Sequence, residues 1–323
     1  MRKSWKKIIG IIFIIIGISV YLYPEYKEWQ INRRTDAIIR DFEQKYSKAT
    51  EPDSGSSSET ETALPESETE PETEAPYDEE MLEELYREMS VYNENLVENG
   101  QHLTDAWSYA QTPVNLDVLN EKDGAIGYIQ IPDMDVTLPL YIGATENNMA
   151  LGATVLSETS MPIGGPDTNC VIAGHRGYGG APFFRDIENL QEGSMVFLKN
   201  PWDTLAYKVT KIEIIDPHDV DSILIQPGKD LVTLLTCHPY MSHGKNRYIV
   251  FCERVEDYQF ETEKEPVQTE TVPVTVRTEP DDGKSAYVIS SKDFIDNERI
   301  IRYLVPTVLV IVFTALYFYK RKK

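Results

Sequence analysis

Three side chains at the ends of predicted strands carry the groups that nucleophilic chemistry needs. Cys237 ends the run LVTLLTC, His175 ends the run CVIAGH, and Arg247 opens the run RYIVFCERV. A thiol is a weak nucleophile at its ordinary pKa, and a neighbouring imidazole or cation raises its thiolate fraction. A guanidinium beside the thiol can stabilise an oxyanion or hold a carbonyl with fixed donors. If neighbouring strands end at one rim, these three groups can meet there and form a catalytic site.

Each of these residues also has a simpler interpretation. A cysteine at a strand end is commonly structural, a histidine after glycine is commonly a loop residue, and Lys245 is an alternative to Arg247 as the cation. With three cysteines, at least one thiol is unpaired within the chain, and a disulfide between Cys170 and Cys252 stays open. The sequence has no CxxC pair and no Cys/His cluster with zinc spacing, so we expect neither a dithiol redox site nor a metal.

The elements that must position these side chains are strands. Short β-type runs separated by Gly, Pro, Asn and Asp turns predict a mainly β domain that forms one closed or nearly closed barrel. The runs are GYIQIP, VTLPLYIG, TNCVIAGH, SMVFLKN, LAYKVTKIEII, DLVTLLTC and RYIVFCERV. The segments NMALGATV and FFRDIENL are expected to form short helices. Before the barrel, apolar residues recur at helical spacing and predict an amphipathic helix that packs on it: Leu82, Leu85, Met89, Tyr92 and Leu96.

Two apolar segments, residues 8–23 and 301–319, are each about long enough to cross a bilayer core of roughly 30 Å. Basic residues at the outer end of both segments predict two membrane anchors with cytoplasmic termini, so that residues 24–300 lie outside the cell. A cleaved signal peptide is the alternative for the first segment, but no small-x-small cleavage site follows it. The net charge of −22 argues against a nucleic-acid partner, since phosphate binding needs clustered Lys and Arg.

Composition divides the rest of the chain. The acidic Ser/Thr/Glu/Pro tract at 49–76 cannot bury enough apolar surface to fold and is predicted to be a disordered spacer. The predicted order is a basic N-terminus (1–7), a membrane helix (8–23), a juxtamembrane helix (24–48), the spacer (49–76), a helical extension (77–120), the barrel (121–257), a linker (258–300), a second membrane helix (301–319) and a basic tail (320–323).

Several motifs together resemble the sortase family. The resemblance covers residues 127–255. It rests on TLLTC followed by HPY, the upstream AGHRG, the opening GYIQIP and the later Arg247. The resemblance implies a closed eight-stranded sortase-type β-barrel and a cysteine transpeptidase on the surface of Gram-positive bacteria. Such enzymes cut an LPxTG-type sorting signal between Thr and Gly, hold the Thr as a thioacyl-enzyme, and pass it to an amine. The family needs no metal or other cofactor for this chemistry.

The resemblance also implies roles for individual residues. Cys237 is the nucleophile, His175 is the acid–base partner, and Arg247 positions the substrate and stabilises the oxyanion. The spacing from Cys237 to Arg247 is one residue longer than is usual for close relatives. The residues around the nucleophile are candidates for the substrate pocket: Leu235, Thr236 and His238, the last being a second imidazole expected to be secondary to His175.

Within the family, the chain resembles class C, the pilus polymerases. These enzymes commonly carry a C-terminal membrane segment, an N-terminal helical extension and a lid with Asp-Pro-aromatic before the barrel. The stretch Asp105-Ala106-Trp107 resembles that lid, which implies that Asp105 pairs with Arg247 and that Trp107 covers Cys237. Ala106 replaces the usual proline, which would fix φ, so a lid that opens more readily is expected. The alternative for Trp107 is a packing residue under the helical extension.

Three functions follow as hypotheses. The first is a pilus-assembling transpeptidase that joins the Thr carboxyl of one pilin to a lysine amine of the next. The second is a housekeeping sortase that anchors surface proteins to a peptidoglycan precursor. The third is a non-catalytic, membrane-tethered surface module, for which the Cys/His/Arg set would be incidental.

Overall fold

A computed structural model describes residues 2–46, 79–101, 103, 114, 116, 124–179, 181–241, 244–258, 295 and 304, with the backbone alone for residues 2–16, 20 and 24. The predicted lid residues Asp105 and Trp107 lie outside the described residues. The same holds for the spacer 49–76, the second apolar segment 301–319 apart from Leu304, the basic tail, and the linker 258–300 apart from Tyr258 and Ile295. Within the residues that the structure describes, no helix is long and apolar enough to cross a membrane.

The described residues contain eight strands that close into one barrel, which confirms the predicted mainly β fold. The strands are β1 (Gly127–Ile131), β2 (Val136–Ile142), β3 (Ala153–Val155), β4 (Thr168–Ala173), β5 (Met195–Lys199), β6 (Thr204–Ile215), β7 (Asp230–His238) and β8 (Asn246–Arg254). Their order around the barrel is β1-β2-β3-β4-β7-β8-β6-β5. Because β4 pairs with β7 and β7 with β8, strands distant in sequence become neighbours.

Of the two predicted short helices inside the barrel region, the first is confirmed over its first half and the second is wrong. Helix α3 spans Glu146–Leu151, whereas the end of the same segment forms the short strand β3. Between them, a Cβ atom on Gly152 would lie 2.2 Å from the carbonyl oxygen of Pro139, so the glycine allows the two backbones to approach closely. The second segment forms only a 3₁₀ turn, Ile187–Asn189. Both segments are too short for periodicity to decide, and pairing with β2 and β4 extends the end of the first one.

Alternation along β4 and β7 separates two apolar clusters. Cys170, Ile172, Val232 and Leu234 point into the main core of the barrel. Val171, Ala173 and Leu235, with Ile249 and Phe251 of β8, form a second cluster on the outer face. Because successive strand residues point to opposite faces, the position of any further residue on these strands can be read from this parity.

In the described part of the chain, two helices precede the barrel and pack on it. Helix α1 (Arg2–Tyr46) is continuous across the predicted boundary at residues 23 and 24, and helix α2 (Glu79–Asn99) buries the predicted residues Leu82, Leu85 and Met89. The end of α1 docks on β1: Phe42 is 1% exposed and meets the ring of Tyr128 edge-on at 6.0 Å. The Tyr128 hydroxyl donates a hydrogen bond of 2.9 Å to Glu43.

Candidate active site

Strands β4, β7 and β8 lie side by side and bring His175, Cys237 and Arg247 to one rim of the barrel. In the parallel pair of β4 and β7, Ala173 lies opposite Leu235. The pairing continues past β4, since the Gly174 amide donates to the carbonyl of Leu235 at 3.1 Å. The hydroxyl of Thr236 donates to the carbonyl of Gly174 at 2.7 Å. His175 is therefore at the level of Cys237, which pairs directly with Arg247 across β7 and β8.

The three side chains also share one face. Cys237 is two residues beyond Leu235, Arg247 is two residues before Ile249, and His175 is two residues beyond Ala173. All three reference residues belong to the cluster on the outer face of the barrel. By strand alternation, the thiol, the imidazole and the guanidinium thus point to the same side of the sheet, where a substrate can approach.

The other two cysteines are unlike Cys237. All three thiols are free, and Cys170 and Cys252 are buried whereas Cys237 is partly exposed. Burial raises the pKa of both buried thiols, so they resist forming thiolates. Cys170 and Cys252 face Val232 from opposite sides, which separates them by two strand spacings, about 9 to 10 Å, beyond the reach of a disulfide. Cys170 and Cys252 therefore do not form the disulfide that the sequence left open.

Gly244 brings the loop before β8 against the thiol and the guanidinium. It has φ of +79°, and a Cβ atom there would lie 2.8 Å from Nη1 of Arg247 and 3.3 Å from Sγ of Cys237. Nη1 of Arg247 donates to the carbonyls of Gly244 at 2.7 Å and Asn246 at 3.2 Å. These bonds hold the guanidinium on the Cys237 side of the strand pair. Lys245, the alternative cation, is exposed, and Arg247 is the residue that lies opposite Cys237.

An aromatic cradle, defined as Tyr178 and Phe183, holds the imidazole of His175. The Tyr178 ring stacks on it with centroids 4.6 Å apart and planes inclined by 16°. The Phe183 ring meets it edge-on at 6.3 Å. Phe183 is fully buried at φ of +45°, an uncommon backbone conformation for a bulky residue. Burial lowers the pKa of His175, which favours the neutral imidazole that can accept a proton.

The three predicted pocket residues are all buried. Leu235 is 2% exposed in the outer cluster, and Thr236 is 1% exposed with its hydroxyl bonded to Gly174. His238 is 3% exposed and lies on the opposite face of β7 from Cys237, where its ring meets Tyr248 at 5.5 Å. The second imidazole therefore points into the barrel and not toward the thiol.

His238 belongs to a buried charge cluster behind Cys237 that was not predicted from the sequence. Nη2 of Arg176 lies 2.5 Å from the carboxylate of Glu188, and Nη1 lies 2.9 Å from Nδ1 of His238. Nη1 also donates to the carbonyl of Cys237 at 3.4 Å, and the guanidinium covers the ring of Tyr248 at 5.6 Å. Arg176 follows His175 directly, so alternation could have placed it on the inner face; nothing in the sequence singles out Glu188.

Within the described part of the chain, no group of three or more His, Cys, Asp or Glu side chains is placed to hold a metal ion.

Comparison with known proteins gives a consistent result. A family model described as "Sortase domain" matches residues 129–255. The chain is 36% identical over 123 residues to sortase A of Staphylococcus aureus, which covers 37% of this chain and 58% of that protein. Sortase C of Streptococcus pneumoniae superposes with a TM-score of 0.54 at 28% identity, over 70% of this chain and 100% of that chain. A mutant of sortase C-1 from S. pneumoniae gives a TM-score of 0.50 at 32% identity, over 57% and 93%. The chain thus spans 58% of the length of the curated relatives that match it first.

Proposed function

The chain belongs to the sortase family, and from this premise we propose that it is a cysteine transpeptidase with Cys237 as nucleophile, His175 as acid–base group and Arg247 as oxyanion stabiliser. One observation carries the proposal. The β4–β7–β8 ladder aligns these three residues on one rim and one face, although 62 positions (237 − 175) separate the imidazole from the thiol. A packing role for the same residues would not require a shared face.

The first half of the reaction forms a thioacyl-enzyme. The Cys237 proton passes to His175, and Sγ attacks the carbonyl carbon of the substrate threonine, whose oxygen becomes an oxyanion beside Arg247. His175 then gives its proton to the amide nitrogen of the following glycine, the C–N bond breaks, and the amine leaves. Fixed donors aimed at a developing oxyanion are commonly the largest contribution to such catalysis, and the Arg247 guanidinium is fixed by two carbonyls.

The second half transfers the acyl group. An incoming primary amine attacks the thioester carbon and loses a proton to His175, the C–S bond breaks, and the Cys237 thiolate is released and reprotonated. Only the neutral imidazole can accept this proton. The lowered pKa of His175 therefore suits this step at neutral pH.

We propose that the donor is an LPxTG-like sorting signal of a pilin, cut between Thr and Gly, and that the acceptor is a lysine amine of the next pilin. The similarity to sortase C of S. pneumoniae, which is described in terms of pilin substrate specificity, supports this class. The α2 extension and the apolar segment 301–319 also support it. The enzyme would be held in the membrane by the segments 8–23 and 301–319 with its barrel outside the cell.

A housekeeping role is the second candidate. The identity of 36% to sortase A of S. aureus favours it. The two roles differ in the acceptor, because a pilus polymerase needs a lysine side chain in a protein, whereas a housekeeping enzyme needs the amine of a peptidoglycan precursor.

The test uses the full chain in detergent with an LPxTG-type peptide and either a lysine-bearing pilin domain or a peptidoglycan stem peptide. We expect a thioacyl adduct on Cys237 by mass spectrometry and transfer to lysine. Cys237→Ala should abolish both, whereas the matched control Cys170→Ala, which removes a buried thiol, should retain both. Equal cleavage by Cys237→Ala would refute the catalytic assignment, and transfer only to the stem peptide would favour the housekeeping role.

We further propose that Asp105 and Trp107 form a lid over Cys237. Trp107→Ala in the full chain should then increase the rate at which a thiol reagent modifies Cys237, with Trp202→Ala as the control for loss of a tryptophan elsewhere. An unchanged rate in Trp107→Ala would remove the lid from consideration.

A further inference from the structure

The loop after β4 holds Tyr178 in a fixed place. The Tyr178 amide donates to the carbonyl of Ala181 at 3.0 Å, and the Ala181 amide donates back at 2.9 Å. Gly177 and Gly179 flank Tyr178 with φ of +86° and +60°, conformations that glycine adopts without strain. The Phe184 amide closes the loop on the carbonyl of His175 at 2.9 Å. The position of the Tyr178 ring is thus set by the backbone, although 48% of the residue is exposed.

The ring is placed directly on the acid–base group. Tyr178 stacks on His175 nearly in parallel, and Phe183 meets both rings edge-on, at 6.3 Å and 6.4 Å. The Phe183 ring is anchored in the main core. Since Phe183 is fixed from below and Tyr178 lies over one face of the imidazole, the ring of His175 has little freedom to turn about its side-chain bonds.

The loop is also supported from outside. A Cβ atom on Gly179 would lie 3.5 Å from Cδ1 of Ile31 in α1, and one on Gly177 would lie 3.5 Å from the ring of Tyr240. Helix α1 and the loop between β7 and β8 therefore bracket the turn that carries Tyr178. A ring that only filled surface space would not need support on both sides.

We propose that Tyr178 is a positioning residue for the transpeptidation: its ring holds the His175 imidazole in one orientation and shields one imidazole face from water. The proposal rests on the proposed function, because it assigns His175 the proton transfers described above. Its physical basis is the stacked geometry, which excludes water from one face of the ring, and the burial that results lowers the pKa of His175. The charged or titratable groups on the surrounding elements are Cys237 on β7, Arg247 on β8, Tyr240 between them, Arg176, Arg185, Asp186 and Glu188 on the segment after β4, and Lys27, Glu28 and Arg34 within one turn of Ile31 on α1.

The test compares two substitutions in the full chain. Tyr178→Phe keeps the stacking ring, whereas Tyr178→Leu keeps apolar bulk and removes the ring. The first readout is an NMR titration of the histidine ring signals, with the exposed His218 as internal reference. The second is kcat and KM for cleavage of an LPxTG-type peptide.

We expect Tyr178→Phe to match the parent chain in both readouts. Tyr178→Leu should raise the pKa of His175 toward its ordinary value, leave the His218 titration unchanged, and lower kcat by about 10-fold with KM nearly constant, since a misoriented acid–base group loses part of its catalytic contribution. A residue that only stabilised the loop would shift the thermal midpoint and leave the His175 titration and kcat unchanged.

An unchanged His175 titration in Tyr178→Leu would overturn the proposal, as would an equal loss of kcat in Tyr178→Phe. If the parent chain cleaved no peptide, the proposed function would fail while the titration still decided the role of Tyr178. Should Tyr178→Leu not fold, Tyr178→Thr serves the same comparison, because it also removes the ring.

Discussion

Gly244 lies against Arg247 and Cys237 at the rim, where there is no room for a side chain. In Gly244→Ala, the new methyl group would lie 2.8 Å from Nη1 of Arg247 and 3.3 Å from Sγ of Cys237, so the guanidinium or the loop must move. Because a misplacement of about 1 Å at reacting groups can cost roughly 10²-fold in rate, we expect peptide cleavage to fall by about that factor. Cleavage kinetics with thermal unfolding as a check on folding measure the effect.

Gly228→Ala is the matched control. Gly228 has nearly the same φ, +76°, but no atom lies within 4 Å of the position that the added methyl group would occupy. It therefore reproduces the backbone strain without the steric contact at the rim. If both variants lost cleavage equally, strain in the loops and not contact with Arg247 and Cys237 would explain the effect.

Tyr248 makes stability sensitive to alkaline pH. Burial, followed by the nearby Glu188 and opposed by Arg176, raises the pKa of Tyr248 to about 12 from 10.0. The folded state thus holds the phenol proton more tightly than the unfolded state, and this stabilisation is complete below pH 10 and is lost as the pH rises toward 12. Urea unfolding at pH 8 and pH 11 should show a smaller alkaline loss in Tyr248→Phe than in the parent chain. An exposed control, Tyr86→Phe, should behave like the parent, and an equal loss in Tyr248→Phe would contradict the prediction.

Among the elements, the turn after β4 and the 3₁₀ turn Ile187–Asn189 are joined by a buried ion pair. The Arg176–Glu188 pair and the surface pair Arg87–Glu84 have the same N–O distance of 2.5 Å, but the side-chain exposures are 3% and 12% in the first and 69% and 54% in the second. Arg176→Gln removes the guanidinium from a largely buried carboxylate, which keeps Nδ1 of His238 at 3.3 Å, and should cost up to about 3–5 kcal/mol. Arg87→Gln should cost less than about 1 kcal/mol.

Equilibrium urea unfolding of the two variants compares the free energies lost by two ion pairs that have the same N–O distance but differ in burial. The result would contradict the burial argument if both substitutions destabilised the chain equally. Arg176 also donates to the carbonyl of Cys237, so residual peptide cleavage by a folded Arg176→Gln protein would report how far cleavage depends on that hydrogen bond.

The elements that could be predicted from the sequence are those whose conformation depends on residues close together in the chain. The residues of β7 and the helical face of α2 were predicted, because both depend on short periodic patterns. The opposite placement of Cys237 and His238 was also readable from strand alternation, although both residues had been expected beside the substrate. Strand β3 could not be predicted, because three residues are too few to show a hydrophobic period. Its extended conformation depends on pairing with β2 and β4.

At the scale of the whole molecule, the interface between α1 and β1 joins the N-terminal region to the barrel. Phe42→Ala should remove a fully buried ring from it and lower the local stability of the docked helix end by roughly 3–5 kcal/mol. Hydrogen exchange should show lost protection in residues 35–46 with the barrel amides still protected. Gln44→Ala, at an exposed site of the same turn, is the control and should change neither. Protection lost throughout the barrel would mean that α1 is part of the folding core.

The closed barrel was predictable from the number of strands, whereas its circular order was not. The meeting of His175, Cys237 and Arg247 requires β4 beside β7 and β7 beside β8, pairings that span more than 60 residues in one case. The prediction that these three residues lie together came from the family resemblance, since a single sequence has no local signal for it. The continuity of α1 through the predicted boundary at 23 and 24 was also missed, because polarity changes there while the backbone stays helical.

The route of α1 has a mechanical consequence. From Ile31, which lies beside Gly179 in the loop after His175, to Tyr46, which is buried against the core, the helix runs about 22 Å along the barrel at 1.5 Å per residue. A force that pulls the N-terminal end of α1 away from the barrel acts first on the contact between Ile31 and Gly179. It reaches Phe42 and Tyr46 only afterwards, so the helix would peel off one contact at a time. Tension on the N-terminal end of α1 would therefore reach the turn beside His175 before it reaches the contacts of Phe42 and Tyr46.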